Sequence, residues 1–122
     1  MVRDAKKEDA DGIAYINAIG WKTTYKGIFP QPFLDNIDPY DINGIKKCQQ
    51  KIDQYIVYEK DGKVLGFARY GMNKKNYNSD YAEIYALYID NDYKGQKIGT
   101  KLVNHIIKKL KGDYKYLLIS TL

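Results

Sequence analysis

The run Tyr93-Lys94-Gly95-Gln96-Lys97-Ile98-Gly99-Thr100-Lys101-Leu102 holds the residues whose types and spacing point most directly to chemistry. It joins a strand-like segment to an amphipathic helical pattern through glycines and lysines. Unpaired backbone N–H groups at a helix N-terminus, with the dipole behind them, favour phosphate oxygens, so such a turn is an anion site. Gly95 permits an unusual backbone angle, Gly99 allows close approach to a ligand or a neighbouring strand, and Lys94 and Lys97 add positive charge. Taken alone, glycines near a helix start also serve as plain turn residues.

Two other reactive side chains read as inert. His105, the only histidine, falls on the polar face of the last helical pattern with Lys101 four residues before it, which points it at water. Cys48, the only cysteine, sits in a helical apolar pattern and has no second thiol with which to form a disulfide or a zinc site. It reads as a buried thiol, and the sequence suggests no metal site.

The elements that must position the glycine turn follow from periodicity. Met1 to Arg3 read as a short strand, and Ala10, Ile13, Ala14, Ala18 and Trp21 recur at helical spacing, predicting a first helix from about Lys7 to Ile19. Gly20, Gly27, Pro30 and Pro32 break that pattern, and a short helix through Phe33, Leu34 and Ile37 follows. Asp41 is placed to cap a helix carrying Ile45, Cys48 and Ile52. From Tyr55 the period becomes that of strands: Tyr55 to Tyr58 and Val64 to Tyr70 flank Lys60-Asp61-Gly62-Lys63, a hairpin with a strong Asp-Gly turn signal. A polar loop, Asn73 to Asp80, leads to a strand over Tyr81 to Ile89. The last helix buries Ile98, Leu102, Ile106 and Leu110, and Tyr116 to Ile119 form a final strand. A helix crossing between the last two strands makes them parallel neighbours, so the expected class is α+β.

The 122 residues predict one domain, without repeats or linkers. No apolar run is long enough for a membrane helix and the N-terminus has no signal-like segment, so a cytoplasmic protein with no membrane partner is expected. The formal net charge of +5 comes almost wholly from lysine, with Arg3 and Arg69 the only arginines. A nucleic-acid surface favours the arginine fork and a basic-aromatic platform, and the 13 tyrosines lie in strand and core patterns instead. No specific nucleic-acid partner is expected; a small basic nucleic-acid-binding module is the least favoured reading.

The segment Tyr93 to Leu102, preceded by Leu87-Tyr88-Ile89, resembles motif A of the GNAT superfamily of N-acetyltransferases, Gln/Arg-x-x-Gly-x-Gly/Ala after an apolar-Tyr-apolar run. Lys94 stands where Gln or Arg is usual and Lys97 where the first motif glycine is usual, while Gly99 is kept. Trp21 to Ile28, with Pro30 and Leu34, also resembles the region after the first helix in small bacterial members, so the resemblance spans essentially the whole chain. It implies a twisted, mostly antiparallel sheet with a parallel pair at the last two strands, flanked by helices. Family members usually continue with a further helix, carrying an Asn and a Tyr, and a final pair of strands, which this sequence lacks. No residue is therefore assigned as general acid.

The resemblance further implies transfer of an acetyl group from acetyl-CoA to a primary amine of a small molecule or peptide, without a metal. It assigns Leu87, Tyr88, Ile89, Lys94, Gly95, Gln96, Lys97, Ile98, Gly99 and Thr100 to coenzyme A, with backbone N–H of Leu87 or Tyr88 polarising the thioester carbonyl. Glu83 matches the position of a base, with a solvated strand carboxylate as the alternative. Trp21, Tyr25 and Phe29 are assigned to the acceptor pocket, with core aromatics as the alternative. An apolar last strand left with an open edge recruits a partner, which predicts a homodimer. The competing reading is a coenzyme A-binding or structural remnant without turnover.

Overall fold

A computed structural model describes residues 1–72, 81–114 and 116–119. Five strands form one sheet in chain order: β1 (Val2–Asp4), β2 (Tyr55–Lys60), β3 (Lys63–Met72), β4 (Tyr81–Ile89) and β5 (Tyr116–Ile119). The first four pair antiparallel and β5 runs parallel to β4. The fold is thus the expected α+β arrangement with a parallel last pair, joined by the crossover helix α4 (Ile98–Leu110). Three helices lie between β1 and β2: α1 (Ala10–Thr24), α2 (Gln31–Asp35) and α3 (Ile42–Gln50). The polar loop expected at Asn73 to Asp80 lies outside the described residues.

Local signals account for most boundaries. Asp61 and Gly62 both take positive φ, 53° and 79°, as a two-residue hairpin turn between β2 and β3 requires. Asp41 caps α3 by accepting from the Asn43 N–H at 3.2 Å. Helix α1 departs from expectation at both ends. It starts after a 3-10 turn at Lys7–Asp9 and continues through Gly20 to Thr24, so Gly20 does not end it. Glycine inside a helix costs about 1 kcal/mol against alanine, and here that cost is offset by what packs on it, described below.

The sheet buries both faces. On one, α4 presents Ile98, Leu102 and Ile106 to Ile56, Leu65, Ala68, Tyr70 and Ile84. On the other, α1 and α3 bring Ala10, Ile13, Ile16 and Cys48 onto Val57 and Phe67. Fully burying side chains of this size stabilises by roughly 1.5–3 kcal/mol each. Arg3 locks α1's entry to the sheet: its guanidinium reaches Asp9 at 2.7 and 2.9 Å and Glu59 at 2.6 and 3.1 Å. The Lys6 N–H also donates to Asp9, at 2.7 Å.

Candidate functional site

The β3–β4 register contains the feature from which the site is built. Arg69 faces Ala86, yet the next residue, Tyr70, faces Ile84. Tyr85 is therefore an extra residue on β4, a bulge that bends the strand and increases its twist. The described residues of β5, Tyr116–Ile119, pair with Tyr81 through Ile84. Beyond the bulge, the β5-facing backbone edge of β4 from Tyr85 to Ile89 has no strand partner among the described residues.

A cleft of about 300 Å³ runs along that edge. Tyr85 to Ile89 form one wall, Gly20 and Thr24 of α1 the opposite wall, and Lys94 and Gly95 one end. Five of the ten residues assigned to coenzyme A, namely Leu87, Tyr88, Ile89, Lys94 and Gly95, thus line one cavity. Gln96, Lys97 and Thr100 are exposed in the adjoining turn and first helical turn, and Ile98 is buried against the sheet. Gly99 faces β4: a β-carbon there would stand 3.2 Å from Ile89 Cδ1. Gly99 therefore serves close packing of α4 on the strand.

Lys97 adopts a left-handed conformation, φ 61° and ψ 23°, as the N-cap of α4. That explains why glycine suits this position, since a β-carbon in the left-handed region costs roughly 1–2 kcal/mol. A lysine side chain has no acceptor for the first-turn amides, and none caps them. The first bond of the helix runs from Lys101 N–H to Lys97 C=O at 3.1 Å, so the N–H groups of Ile98, Gly99 and Thr100 point out of the helix end. With Lys94 and Lys97 nearby, the turn presents donors and positive charge to an anion.

Glu83 lies on β4 opposite Gly71 and is 6% exposed, so the solvated alternative is wrong. Its neighbours Ala82 and Ile84 are buried as well, and Glu83 lines neither this cleft nor the larger cavity beside it. Tyr85 follows two residues on, packed over Gly71. Burial and then the Glu83 charge push the Tyr85 hydroxyl above its ordinary value, keeping it protonated.

A second cavity of about 440 Å³ opens between α1, the α2–α3 segment and the sheet. Trp21 and Phe33 form part of its wall, and Tyr55, Phe67, Arg69 and Ala86 contribute from the sheet. Tyr25 and Phe29 do not line it; they extend the aromatic wall outward, with Trp21–Tyr25 ring centroids 4.4 Å apart, Tyr25–Phe29 5.1 Å and Phe29–Phe33 5.5 Å. None of the three is a core aromatic: Trp21 and Tyr25 are half-buried and Phe29 is 39% exposed. Ala86 lines both cavities, so they meet at the strand residue just past the bulge.

Cys48 is buried at the inner side of the second cavity, and burial pushes its thiol up. His105 keeps 36% of its side chain exposed, with Nε2 4.0 Å from Asp4 Oδ1 on β1, and lines neither cavity. Gly20, Thr24, Tyr55 and Arg69 line the cavities without having been singled out from sequence. Gly20 had a signal: with Ile13 and Ile16 it continues the sheet-facing stripe of α1.

Among the described residues no cluster of three or more His, Cys, Asp and Glu side chains could hold a metal ion. No described helix is long and apolar enough to cross a membrane.

Residues 14–121 match the Acetyltransferase (GNAT) family, and the chain belongs to that family. A curated relative, the uncharacterized N-acetyltransferase YuaI of Bacillus subtilis (strain 168), is 28% identical over 102 residues; these are 84% of this chain and 59% of that protein. The chain therefore spans less than two thirds of that relative's length. Among solved structures, the PaiA N-acetyltransferase of Thermoplasma acidophilum in complex with coenzyme A superposes with a TM-score of 0.75 at 21% identity, covering 91% of this chain and 71% of that one. A possible acetyltransferase from Clostridium difficile 630 superposes with a TM-score of 0.72 at 20% identity, covering 100% and 79%. These likenesses show the fold.

Proposed function

We propose that the chain transfers the acetyl group of acetyl-CoA to a primary amine. The observation that carries this reading is the cleft along Tyr85 to Ile89, which begins at the bulge, past the last described β4–β5 pair, and ends at Lys94 and Gly95 before the N-terminus of α4. The amide arm of coenzyme A is a partner for that stretch of β4, and its pyrophosphate is an anion for the amides of Ile98, Gly99 and Thr100 with Lys94 and Lys97. The acceptor enters from the other side through the cavity walled by Trp21 and Phe33, with Tyr25 and Phe29 flanking its mouth.

The reaction needs a base first. An alkylammonium with pKa about 10.4 leaves roughly one molecule in 2,500 as free amine at pH 7. Glu83 takes the ammonium proton and passes it to solvent, the amine nitrogen attacks the thioester carbonyl carbon, and the C–S bond breaks with departure of the coenzyme A thiolate as the nitrogen gives its surplus proton to Glu83. Backbone N–H groups of Leu87 or Tyr88 are the donors for the developing oxyanion. Tyr85, protonated beside the cleft, is the candidate that returns a proton to the thiolate.

The runner-up is a coenzyme A-binding domain without turnover, favoured by the left-handed Lys97 in place of the usual glycine. Calorimetric titration with acetyl-CoA and with desulfo-CoA, followed by mass detection of acetylated amines, tests both. Saturable micromolar binding with turnover supports transfer, binding without turnover supports the runner-up, and absence of binding to folded protein overturns both.

A further inference from the structure

The chain has two arginines, and their surroundings differ sharply. Arg3 spends its guanidinium on the carboxylates of Asp9 and Glu59. Arg69 lines the acceptor-side cavity, half-buried, and forms no ion pair among the described residues. Its Nε–H donates to Gln54 Oε1 at 3.0 Å. Its guanidinium carbon lies 5.8 Å from the Tyr55 ring centroid and 5.6 Å from that of Tyr85. One side of the fork is thus fixed by Gln54, and the rings of Tyr55 and Tyr85 lie against the guanidinium. A guanidinium prearranged in this way in a cavity is a receptor for a carboxylate, which it binds with two parallel hydrogen bonds.

The surroundings of the guanidinium indicate where that carboxylate sits. Arg69 is the cross-strand partner of Ala86, the residue at which the acceptor cavity meets the β4 cleft. Its guanidinium carbon lies 5.6 Å from the ring of Tyr85, which lines the β4 cleft, so a carboxylate held by Arg69 stands near the inner end of that cleft. Asp38 and Asp41 stand at the cavity wall, each accepting one backbone amide, from Tyr40 and Asn43 respectively. Their charge disfavours a simple anion and tolerates one that also carries an ammonium group.

We propose that Arg69 is the specificity-determining residue of the acceptor site, and that the acceptor is a short amino acid whose carboxylate binds Arg69 while its amine reaches the β4 cleft. This rests on the acetyl-transfer reading for its chemistry, but the carboxylate site itself does not.

The test compares matched amines with and without a carboxylate: glycine, β-alanine and 4-aminobutyrate against ethylamine, propylamine and butylamine. The full chain and its R69Q and R69K variants are assayed by mass detection of acetyl product, with circular dichroism verifying the fold. Trp21 is the only tryptophan and lines the cavity, so its fluorescence reports occupancy without turnover. The expected result is a preference in kcat/KM of about 10- to 100-fold for the carboxylated member, the range of charge-assisted hydrogen bonds. R69Q collapses that ratio toward one, R69K keeps part of it, and amino-acid titration moves Trp21 fluorescence in the parent but not in R69Q. Equal rates for the two series, or a preference that survives R69Q, overturn the inference while leaving acetyl transfer standing. Failure of acetyl-CoA binding sinks the transfer reading, and the Trp21 titration then still decides Arg69: a saturable, R69Q-sensitive response supports the carboxylate site and its absence overturns it.

Discussion

Tyr88 packs onto Gly20 so closely that a β-carbon on the glycine would stand 2.7 Å from Cγ and 2.8 Å from Cε1 of the ring, and closer still to Cδ1. This contact sets how near α1 comes to β4, and so the width of the cleft both residues line. It also explains a glycine within a helix. Alanine gains helix propensity of about 1 kcal/mol, whereas overpacking costs typically 1–3 kcal/mol. G20A should therefore destabilise by up to about 2 kcal/mol in urea unfolding and weaken acetyl-CoA binding in calorimetry. In the Y88A background the stability cost of G20A should disappear, because the clash is with the ring; a cost that persists there would refute the packing account.

Lys97 holds a backbone conformation that glycine adopts freely. K97G should raise stability by about 0.5 kcal/mol, a gain in Tm of roughly 2 °C, because relief of the left-handed strain exceeds the added freedom of the unfolded chain. K97A keeps the β-carbon and should give no such gain. Both variants lose the charge, so both should show a shallower salt dependence of acetyl-CoA binding. Scanning calorimetry and titration at two ionic strengths check this.

Glu83 is buried beside the bulge and does not line the coenzyme A cleft. E83Q preserves shape and should lower kcat by about 10²–10⁴-fold, the usual contribution of a positioned base, with acetyl-CoA affinity little changed. The deficit should shrink as pH rises toward 10, where solvent deprotonates the amine without help. A pH profile parallel to that of the parent would remove Glu83 from the base role.

The Arg3 hydrogen bonds, with a smaller contribution from the Lys6 N–H, hold the Asp9 carboxyl below its ordinary value of 3.8. A group whose pKa is depressed by folding adds stability above its unfolded pKa, and that stability drains away as pH falls through the folded value. D9N should therefore cost about 1–3 kcal/mol near neutral pH, the range for removing one partner of a charged hydrogen-bonded pair. The difference from the parent should narrow only below about pH 4. A difference that narrows already between pH 7 and 5 would mean that some other group is responsible.

What was legible in the sequence was local. The hairpin at Asp61-Gly62, the Asp41 cap, the β4 limits at Tyr81 and Ile89 and the apolar face of α4 all follow from residue type and short-range period, because turns, caps and helical stripes are decided by neighbours within a few positions. The glycine turn before α4 belongs with them, and the order of elements sufficed to anticipate the parallel last pair. Everything that turns these elements into a site depends on partners far apart in the chain. Nothing near Gly20 announces that a tyrosine 68 residues later will cover it. The Tyr85 bulge exists only in the register between β3 and β4, and the cleft along β4 only where α1 and the turn before α4 come up against the strand past it. Arg69 carries no signal in a strand pattern; Gln54, Tyr55 and Tyr85 give it a fixed geometry, and Ala86 across the strand gives it a place. Periodicity is a property of the chain. Register, bulge and cavity arise when separate segments meet, so only the tertiary structure decides them.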